Sequence, residues 1–483
     1  MMAVQHRANT SVNSADATYE AIDAYVAGQL RRLNIPGAAL AIVEGDRIVH
    51  LRGFGQARPS GETPTPQTPF ALGSTTKSFT ALAVMQLVEA GKVELDAPVQ
   101  RYLPWFRVAD PQASAQMTVR HLLNQTSGMS ALAGTVCLGD LDDRPDAAER
   151  QARALSTLKL NHPVGTHFQY CNLNYNVLGL IIEAASGQPY AEYVQAHILA
   201  PLDMTHTYTS PTVAQQNGLG MGHRYWFGIP FAAPDVPFPL SALAAGGLLS
   251  TSEDMAHYLI AHLNGGRYGE AQVLSSAGID EMHRGVAEQR VMDAAVTTYG
   301  MGWFVNPIGD TTLVAHGGNV PNFSSFLGLL PEQKKGVALL VNADHGLPFI
   351  LMEVGERVAE MLAGQQPSPI QLGFLPWMFR ATLLIPLFQL ASVVATLLLL
   401  RRWRQHPALR PSGRRRWGQH MLLPLIPDLT LVTILGYLWS SGLLRFMHLF
   451  MPDLAWIFRI GGGFAALWAM VRTSLIVRAL RRS

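Results

Sequence analysis

Ser74 and Lys77 stand three residues apart in the stretch FALGSTTKSFTALAVMQLVEAGK, residues 70–92. A serine hydroxyl is a poor nucleophile until a neighbouring base takes its proton, and residues i and i+3 share one face of a helix. The apolar pattern after Ser74 predicts a helix that ends near Gly91. The same pattern also fits a serine that only starts a helix. This stretch alone therefore leaves both interpretations open.

Two later stretches favour the catalytic interpretation. Tyr170 and Asn172 precede a predicted helix, and His316 begins an H-x-G triplet at the end of a predicted strand. The order S-x-x-K, Y-x-N, H-x-G resembles the three-part signature of penicillin-binding-protein-like serine hydrolases, in particular the class C β-lactamase-like branch. The stretches LNQTSGM, GGLLSTSEDMAHYL and YGMGWF are similar to that family as well, and the resemblance covers about residues 20–360.

This resemblance implies a role for each matching residue. Ser74 would be the nucleophile, Lys77 its base, and Tyr170 a second base or proton relay whose ionisation needs Lys77 beside it. The remaining residues would bind substrate: the Asn172 side chain at the amide carbonyl, His316 and Gly318 along the cleft, and the backbone N–H groups of Ser74 and Asn319 at the oxyanion.

His316 is a departure from the lactamase pattern, which often has a lysine to hold a substrate carboxylate at this position. A histidine is at most partly charged at neutral pH, so we expect poor β-lactam hydrolysis and favour a peptidase, amidase or esterase. A purely structural role for His316 stays open, as do two other functions. One is a β-lactamase, and the other is a receptor whose serine is acylated without turnover.

The elements around these motifs predict an α+β fold. GAALAIV and RIVHLRGFG read as an antiparallel hairpin, and TTLVAHGG, FSSFLGLL and KGVALLVNAD read as three more strands. The middle of the chain, from Ser74 to roughly Tyr299, reads as mostly helical. Both ends of the domain therefore contribute to one antiparallel sheet, flanked by helices and by a helical domain. This is the β-lactamase/transpeptidase-like fold that the resemblance implies.

The C-terminal third predicts a membrane region. Three apolar stretches, about residues 381–400, 421–444 and 454–477, are long enough to cross a hydrocarbon core of about 30 Å. Arg459 and Arg472 interrupt the third stretch, and we expect both to reach opposite interfaces. Residues 1–365 form the predicted hydrolase domain and residues 366–380 the linker. This architecture resembles that of prodrug-activating periplasmic peptidases, which suggests D-aminoacyl or acylated peptide substrates.

Arginine placement predicts the orientation. The loop between the first two spans, residues 401–417, carries seven arginines and no acidic residue, and the tail adds three more. The positive-inside rule puts both in the cytoplasm, so the hydrolase domain is expected outside it, in a multi-pass protein of the cell membrane. The first thirty residues lack the apolar segment of a signal peptide. A missing leader or a start codon assigned too far downstream would reconcile the two observations.

Composition excludes other classes of function. The net charge is +2 with 14% charged residues, too balanced for a nucleic-acid binder. Two cysteines, Cys137 and Cys171, exclude a disulfide framework and a cysteine metal cluster. No histidine spacing suits a metal, and we predict no metal and no cofactor. The expected partners are a small-molecule or peptide substrate and membrane lipid.

Overall fold

A computed structural model describes residues 14–291, 295–344, 350–370, 377, 380–410 and 418–481. These residues contain fifteen β-strands. Eight of these strands form one antiparallel sheet in the order β2-β1-β14-β13-β12-β11-β10-β9. The strands are β1 Gly37–Glu44, β2 Arg47–Gly55, β3 Phe70–Ala71, β4 Gly222–Trp226, β5 Ile229–Ala233, β6 Leu249–Ser250, β7 Arg267–Tyr268, β8 Ala271–Gln272, β9 Ala287–Val291, β10 Ala295–Tyr299, β11 Phe304–Ile308, β12 Thr311–Val320, β13 Phe323–Leu330, β14 Lys335–Val341 and β15 Ala343–Asp344.

Helices surround this sheet and form the domain beside it. The α-helices of the globular part are α1 Ser14–Arg32, α2 Thr76–Glu89, α3 Val99–Tyr102, α4 Pro111–Gln116, α5 Val119–Leu123, α6 Ala131–Val136, α7 Ala147–Ala154, α8 Asn172–Ser186, α9 Tyr190–Val194, α10 Pro211–Gln216, α11 Leu243–Gly246, α12 Ser252–Leu263, α13 Ser276–His283 and α14 Ile350–Leu362.

The sheet joins the two ends of the domain, as the sequence predicts. Strand β1 pairs with β14, with Ala38 opposite Val341 and Glu44 opposite Lys335. Every residue of β13 is buried, because α14 packs on one face of the sheet and α12 on the other. A strand covered on both faces reads as a continuous apolar run, which is the pattern of FSSFLGLL. The predicted antiparallel sheet, built from both ends of the domain and flanked by helices, is confirmed.

The middle of the domain is mostly helical, as predicted, but it also contains seven strands, β4 to β10, that the sequence pattern did not predict. Strands β9 and β10 extend the sheet at its edge, and β4 and β5 form a hairpin that joins β15 in a second, three-stranded sheet. These strands are five residues long and carry mixed polar and apolar residues. Short edge strands with polar positions give a weak period-2 signal, which explains why the sequence pattern missed them.

Three C-terminal helical segments are long and apolar enough to cross a membrane: Leu384–Gln405, Gly418–Ser440 and Pro452–Arg481. We call the α-helices here α15 Leu384–Gln405, α16 Ile426–Ser440, α17 Leu443–Phe450 and α18 Pro452–Arg481. The second segment ends earlier than predicted, because Gly442 has a φ of +78° and breaks the helix before α17. The predicted linker 366–380 and the arginine-rich loop lie partly outside the described residues, at 371–376, 378–379 and 411–417.

Polar contacts connect α15 and α18. Gln389 Nε2 donates to the Gly461 carbonyl at 2.7 Å, and Arg472 Nε donates to Thr396 Oγ1 at 2.9 Å. Arg472 is buried, and the expectation that Arg459 and Arg472 reach opposite interfaces stays a prediction. The N–H donors of an arginine inside an apolar bundle need acceptors on neighbouring helices. For Arg472 these acceptors are Thr396 Oγ1 and the His420 carbonyl.

Candidate active site

Ser74 lies in a single 3₁₀ turn, Gly73–Thr75, which connects β3 to α2. Its hydroxyl makes no capping hydrogen bond, since the residues at the cap positions are Leu72 for the turn and Thr75 for α2. Ser74 therefore caps neither the turn nor α2, although its turn leads directly into the helix. Its Oγ instead lies 3.1 Å from Lys77 Nζ.

Lys77 is fully buried one turn further along α2. Its Nζ donates to Asn172 Oδ1 at 2.8 Å and to the Ala245 carbonyl at 2.6 Å. Burial lowers the pKa of Lys77 from its ordinary value of 10.5 to about 7. A neutral amine has two hydrogens and one lone pair, so these two oxygens occupy both hydrogens. The lone pair then faces the Ser74 hydroxyl, which is the arrangement that a general base requires.

Tyr170 lies beside this pair within a group of aromatic rings. Lys77 Nζ is 5.0 Å from the centre of the Tyr170 ring, which stacks on Phe304 and meets the Tyr299 ring edge to face. Burial raises the pKa of Tyr170 well above 10, and contact with Ser74 only partly offsets this rise. Burial thus favours the neutral phenol, with Lys77 beside it as the resemblance implies. Tyr170 can relay a proton, while Lys77 is the better base.

Asn172 begins helix α8 and has both ends of its side-chain amide engaged. Its Oδ1 accepts from Lys77, and its Nδ2 donates to the Gly134 carbonyl at 2.8 Å. One Nδ2 hydrogen remains for a substrate carbonyl, as the resemblance implies. The geometry adds a role in positioning, because Asn172 holds the Lys77 amine against Ser74.

His316 lies on β12 with its side chain buried. Its Nδ1 donates to the Gly317 carbonyl at 2.6 Å, and its Nε2 accepts from the Tyr299 hydroxyl, 3.3 Å away. Burial, with the nearby Lys77 amine, lowers the pKa of His316 to about 3. His316 is therefore a neutral group in the wall of the cleft, which leaves no cation at this position for a substrate carboxylate.

The backbone of β12 passes directly against the turn that carries Ser74. A Cβ added at Gly318 would lie 1.9 Å from the Leu72 carbonyl oxygen and 3.0 Å from the Ser74 nitrogen. Gly73 has a φ of +60°, and a Cβ there would lie 2.7 Å from the Asn319 nitrogen. Both glycines permit this approach. The predicted oxyanion-hole amides, those of Ser74 and Asn319, thus lie on backbone segments in direct contact.

Substituting Gly318 with alanine tests this contact. The added Cβ clashes with backbone, which cannot rotate away, so we expect β12 to separate from the turn and the rate of ester hydrolysis to fall at least tenfold. Gly45 is the control: its turn is open, with no atom of the described residues within 4 Å of an added Cβ, and its φ of +61° strains Gly45→Ala, whereas Gly318 has no positive φ. Equal activity of Gly318→Ala and the parent protein would contradict the close contact.

Sequence reasoning missed several groups of the site, and most of them lie in the flanking stretches that resembled the family. Gln125, in LNQTSGM, has a φ of +59°. Its side-chain Oε1 accepts a hydrogen bond from the Cys171 backbone N–H at 2.9 Å, which holds the extended residue just before α8 in place. Tyr299 and Phe304 belong to YGMGWF, whose Gly302 approaches the Lys77 backbone. The Ala245 carbonyl precedes GGLLSTSEDMAHYL by one residue. Backbone carbonyls carry no residue-type signal, so the sequence could not identify them.

A model of the beta-lactamase family matches residues 22–353, more than half of the chain. The chain belongs to this family. It is 29% identical over 323 residues to protein flp of Staphylococcus aureus, with 66% of this chain and 62% of that protein covered. It is 31% identical over 341 residues to penicillin-binding protein 4 of Amycolatopsis lactamdurans, with 69% and 88% covered. The chain thus spans about three-fifths of the length of the staphylococcal relative.

Solved structures agree with this membership. A penicillin-binding protein homologue from Pyrococcus abyssi, described as octameric, is similar with a TM-score of 0.65 and 28% identity, over 73% of this chain and 79% of that one. The D-amino acid amidase of Ochrobactrum anthropi SV3 has a TM-score of 0.60 and 26% identity, over 72% and 99%. A class C beta-lactamase, at 19% identity and a TM-score of 0.61 over 76% and 100%, shares the fold.

Proposed function

We propose that this protein is a membrane-anchored serine hydrolase that forms an acyl-enzyme on Ser74. The observation that carries the proposal is the buried Lys77 amine, 3.1 Å from Ser74 Oγ, with a pKa of about 7. A base with a pKa near the working pH is best suited to take and return a proton. Membership of the beta-lactamase family, whose solved relatives include an amidase, supports the same chemistry.

The reaction runs in two halves. Neutral Lys77 takes the Ser74 proton as Oγ attacks the substrate carbonyl, and the Ser74 and Asn319 N–H groups stabilise the oxyanion. The bond to the leaving group then breaks, and the leaving amine or alkoxide takes the proton from Lys77, through the Tyr170 hydroxyl. This leaves an ester on Ser74. Water attacks that ester, its proton passes through the Tyr170 hydroxyl to Lys77, and the proton returns to Ser74 Oγ as the acid product leaves.

The substrate class follows from the wall of the cleft. Neutral His316 offers no charge to the carboxylate of a β-lactam, whereas an uncharged amide or ester suits the partly exposed aromatic rings of Tyr170 and Phe304. The relation to a D-amino acid amidase supports D-aminoacyl amides. We therefore propose peptidase, amidase or esterase activity on D-aminoacyl or acylated peptide substrates.

We also propose that the hydrolase domain lies outside the cytoplasm. In addition to the arginine-rich loop and tail, one contact supports this orientation. Helix α17, which connects the second and third apolar segments, lies against the globular domain: a Cβ added at Gly139 would be 2.8 Å from the Phe446 nitrogen. The connection between spans two and three and the hydrolase domain then share one side, opposite to the arginines.

Replacing Tyr170 with phenylalanine separates turnover from simple acylation. The variant keeps the ring that stacks on Phe304 but loses the hydroxyl that relays protons, so we expect 4-nitrophenyl ester hydrolysis to fall about 10²-fold. Intact mass spectrometry should then detect an acyl adduct that persists longer than in the parent protein. A parent protein that keeps its adduct and releases no acid would contradict the hydrolase and favour the receptor function.

A further inference from the structure

The hairpin β4–β5 exposes three large apolar side chains close to its turn. Phe227 is 47% exposed, Ile229 59% and Phe231 52%. Single exposed apolar residues are normal on a protein surface, but a group of them marks an interaction surface. We call these three side chains the apolar tip.

The backbone of the turn gives no structural reason for an aromatic residue there. Trp226 pairs with Ile229, so Phe227 and Gly228 form a two-residue turn. Both are left-handed, with φ values of +51° and +85°. Such turns favour Asn, Asp or Gly, and a bulky residue with positive φ is strained. The phenylalanine therefore stands where folding alone would select another residue, which points to a function of its side chain.

A hydrogen bond fixes the apolar tip relative to the third apolar helix. The Phe227 backbone N–H donates to Asp453 Oδ2 at 3.0 Å, and Asp453 is the second residue of α18. The stretch between Arg459 and Arg478 spans about 28 Å at 1.5 Å per residue, close to the thickness of a hydrocarbon core. Asp453 lies about 9 Å before Arg459 on the same helix, which is the depth of the lipid headgroups.

We propose that the apolar tip inserts at the boundary between headgroups and acyl chains of the bilayer, beside the beginning of α18. Aromatic and aliphatic side chains are favoured at this boundary. Trp456, half-exposed on the first turns of α18, belongs to the same interfacial layer. The proposal rests on the membrane anchoring of the proposed function. It adds that the globular domain itself contacts the bilayer through the apolar tip.

This contact places the cleft at the membrane surface. Helix α17 packs against α6 and the residues that follow it, and a Cβ added at Gly442 would lie 2.7 Å from Val136 Cγ1. The same segment supplies the Gly134 carbonyl that holds Asn172. With the tip and α17 on one side of the domain, a substrate with an acyl chain in the bilayer reaches Ser74 without leaving the membrane surface.

A fluorescent probe at the tip tests the lipid contact directly. Ile229→Cys is labelled with an environment-sensitive dye in the full chain and placed in nanodiscs that hold one copy. The control is Asp46→Cys, at a side chain that is 83% exposed. The hairpin joins the main sheet through β15, near Ala38 at one end of β1. Asp46 follows Glu44 at the other end of β1, about 20 Å from Ala38. The unsubstituted chain, labelled alike, gives the background of Cys137 and Cys171.

Lipids brominated on the acyl chain should quench the probe at position 229 by at least half and leave the probe at position 46 nearly unchanged. Equal quenching at both positions would overturn the proposal. So would a probe at position 229 that is shielded only in discs with two copies, because a second copy would then cover the tip. This readout does not depend on catalysis, so a failure of the proposed function is seen separately, as absent labelling of Ser74.

A triple variant tests the consequence for substrates. Phe227→Ser, Ile229→Ser and Phe231→Ser together should leave hydrolysis of 4-nitrophenyl acetate in detergent within twofold of the parent. Hydrolysis of a long-chain 4-nitrophenyl ester in nanodiscs should fall at least fivefold. Val49→Ser, which removes an exposed apolar side chain from strand β2, is the matched control and should change neither rate. An equal loss on both substrates would overturn the effect of lipid contact.

Discussion

Substitution of Ser74 by alanine is expected to abolish hydrolysis, with a loss of about 10⁴-fold or more. The variant has no oxygen to form the acyl ester, although the two backbone N–H groups at the oxyanion position remain. The measurements are the rate of 4-nitrophenyl ester hydrolysis and the mass of the intact chain after treatment with a fluorophosphonate. We expect a single adduct on the parent protein and none on Ser74→Ala.

Ser78 provides the matched control for this experiment. It lies on α2, one residue after Lys77, and is buried, and its hydroxyl donates to the Thr75 carbonyl at 2.8 Å. Ser78→Ala removes one hydrogen bond, which costs about 1 kcal/mol of stability, and should keep both the adduct and the rate. If Ser74→Ala still reacts with the fluorophosphonate and hydrolyses ester, another hydroxyl is the nucleophile and the proposed role of Ser74 is wrong.

The fold was predictable where its signals are long. The hairpin β1–β2, the strands β12 to β14 and the three apolar segments all follow from runs of seven residues or more with a clear period or a continuous apolar pattern. The missed hairpin β4–β5 has five-residue strands and an aromatic residue in a turn that usually contains Asn or Gly. A rule based on turn composition could not detect it, because this turn breaks the rule.

The candidate site was predictable by residue type but not by protonation state. The three motifs led to Ser74, Lys77, Tyr170, Asn172 and His316, and the structure brings all five together. The pKa shifts of Tyr170 and His316 could not be predicted, since they result from burial by rings and strands distant in the sequence. Burial also lowers the pKa of Lys77. At this residue the neutral form is the active one, because a neutral amine can act as a base.

The pH dependence of activity tests that conclusion. With a pKa of about 7 in the folded protein, Lys77 is protonated at lower pH and has no lone pair for the Ser74 proton. We therefore expect kcat/KM to fall about tenfold per pH unit below pH 7, and to level off above it, where the amine is neutral. The ester and amide substrates should give the same inflection, because it belongs to the free enzyme.

Substitutions at Lys77 decide whether the base or the charge matters. Lys77→Arg keeps donors for Asn172 Oδ1 and the Ala245 carbonyl, but a guanidinium stays protonated at every accessible pH. Lys77→Met keeps the shape of the side chain and has no charge. Both should lose about 10²–10⁴-fold in kcat/KM, and neither residual activity should show the inflection near pH 7. An active Lys77→Arg variant would contradict this mechanism, because only a neutral amine at this position can accept the Ser74 proton.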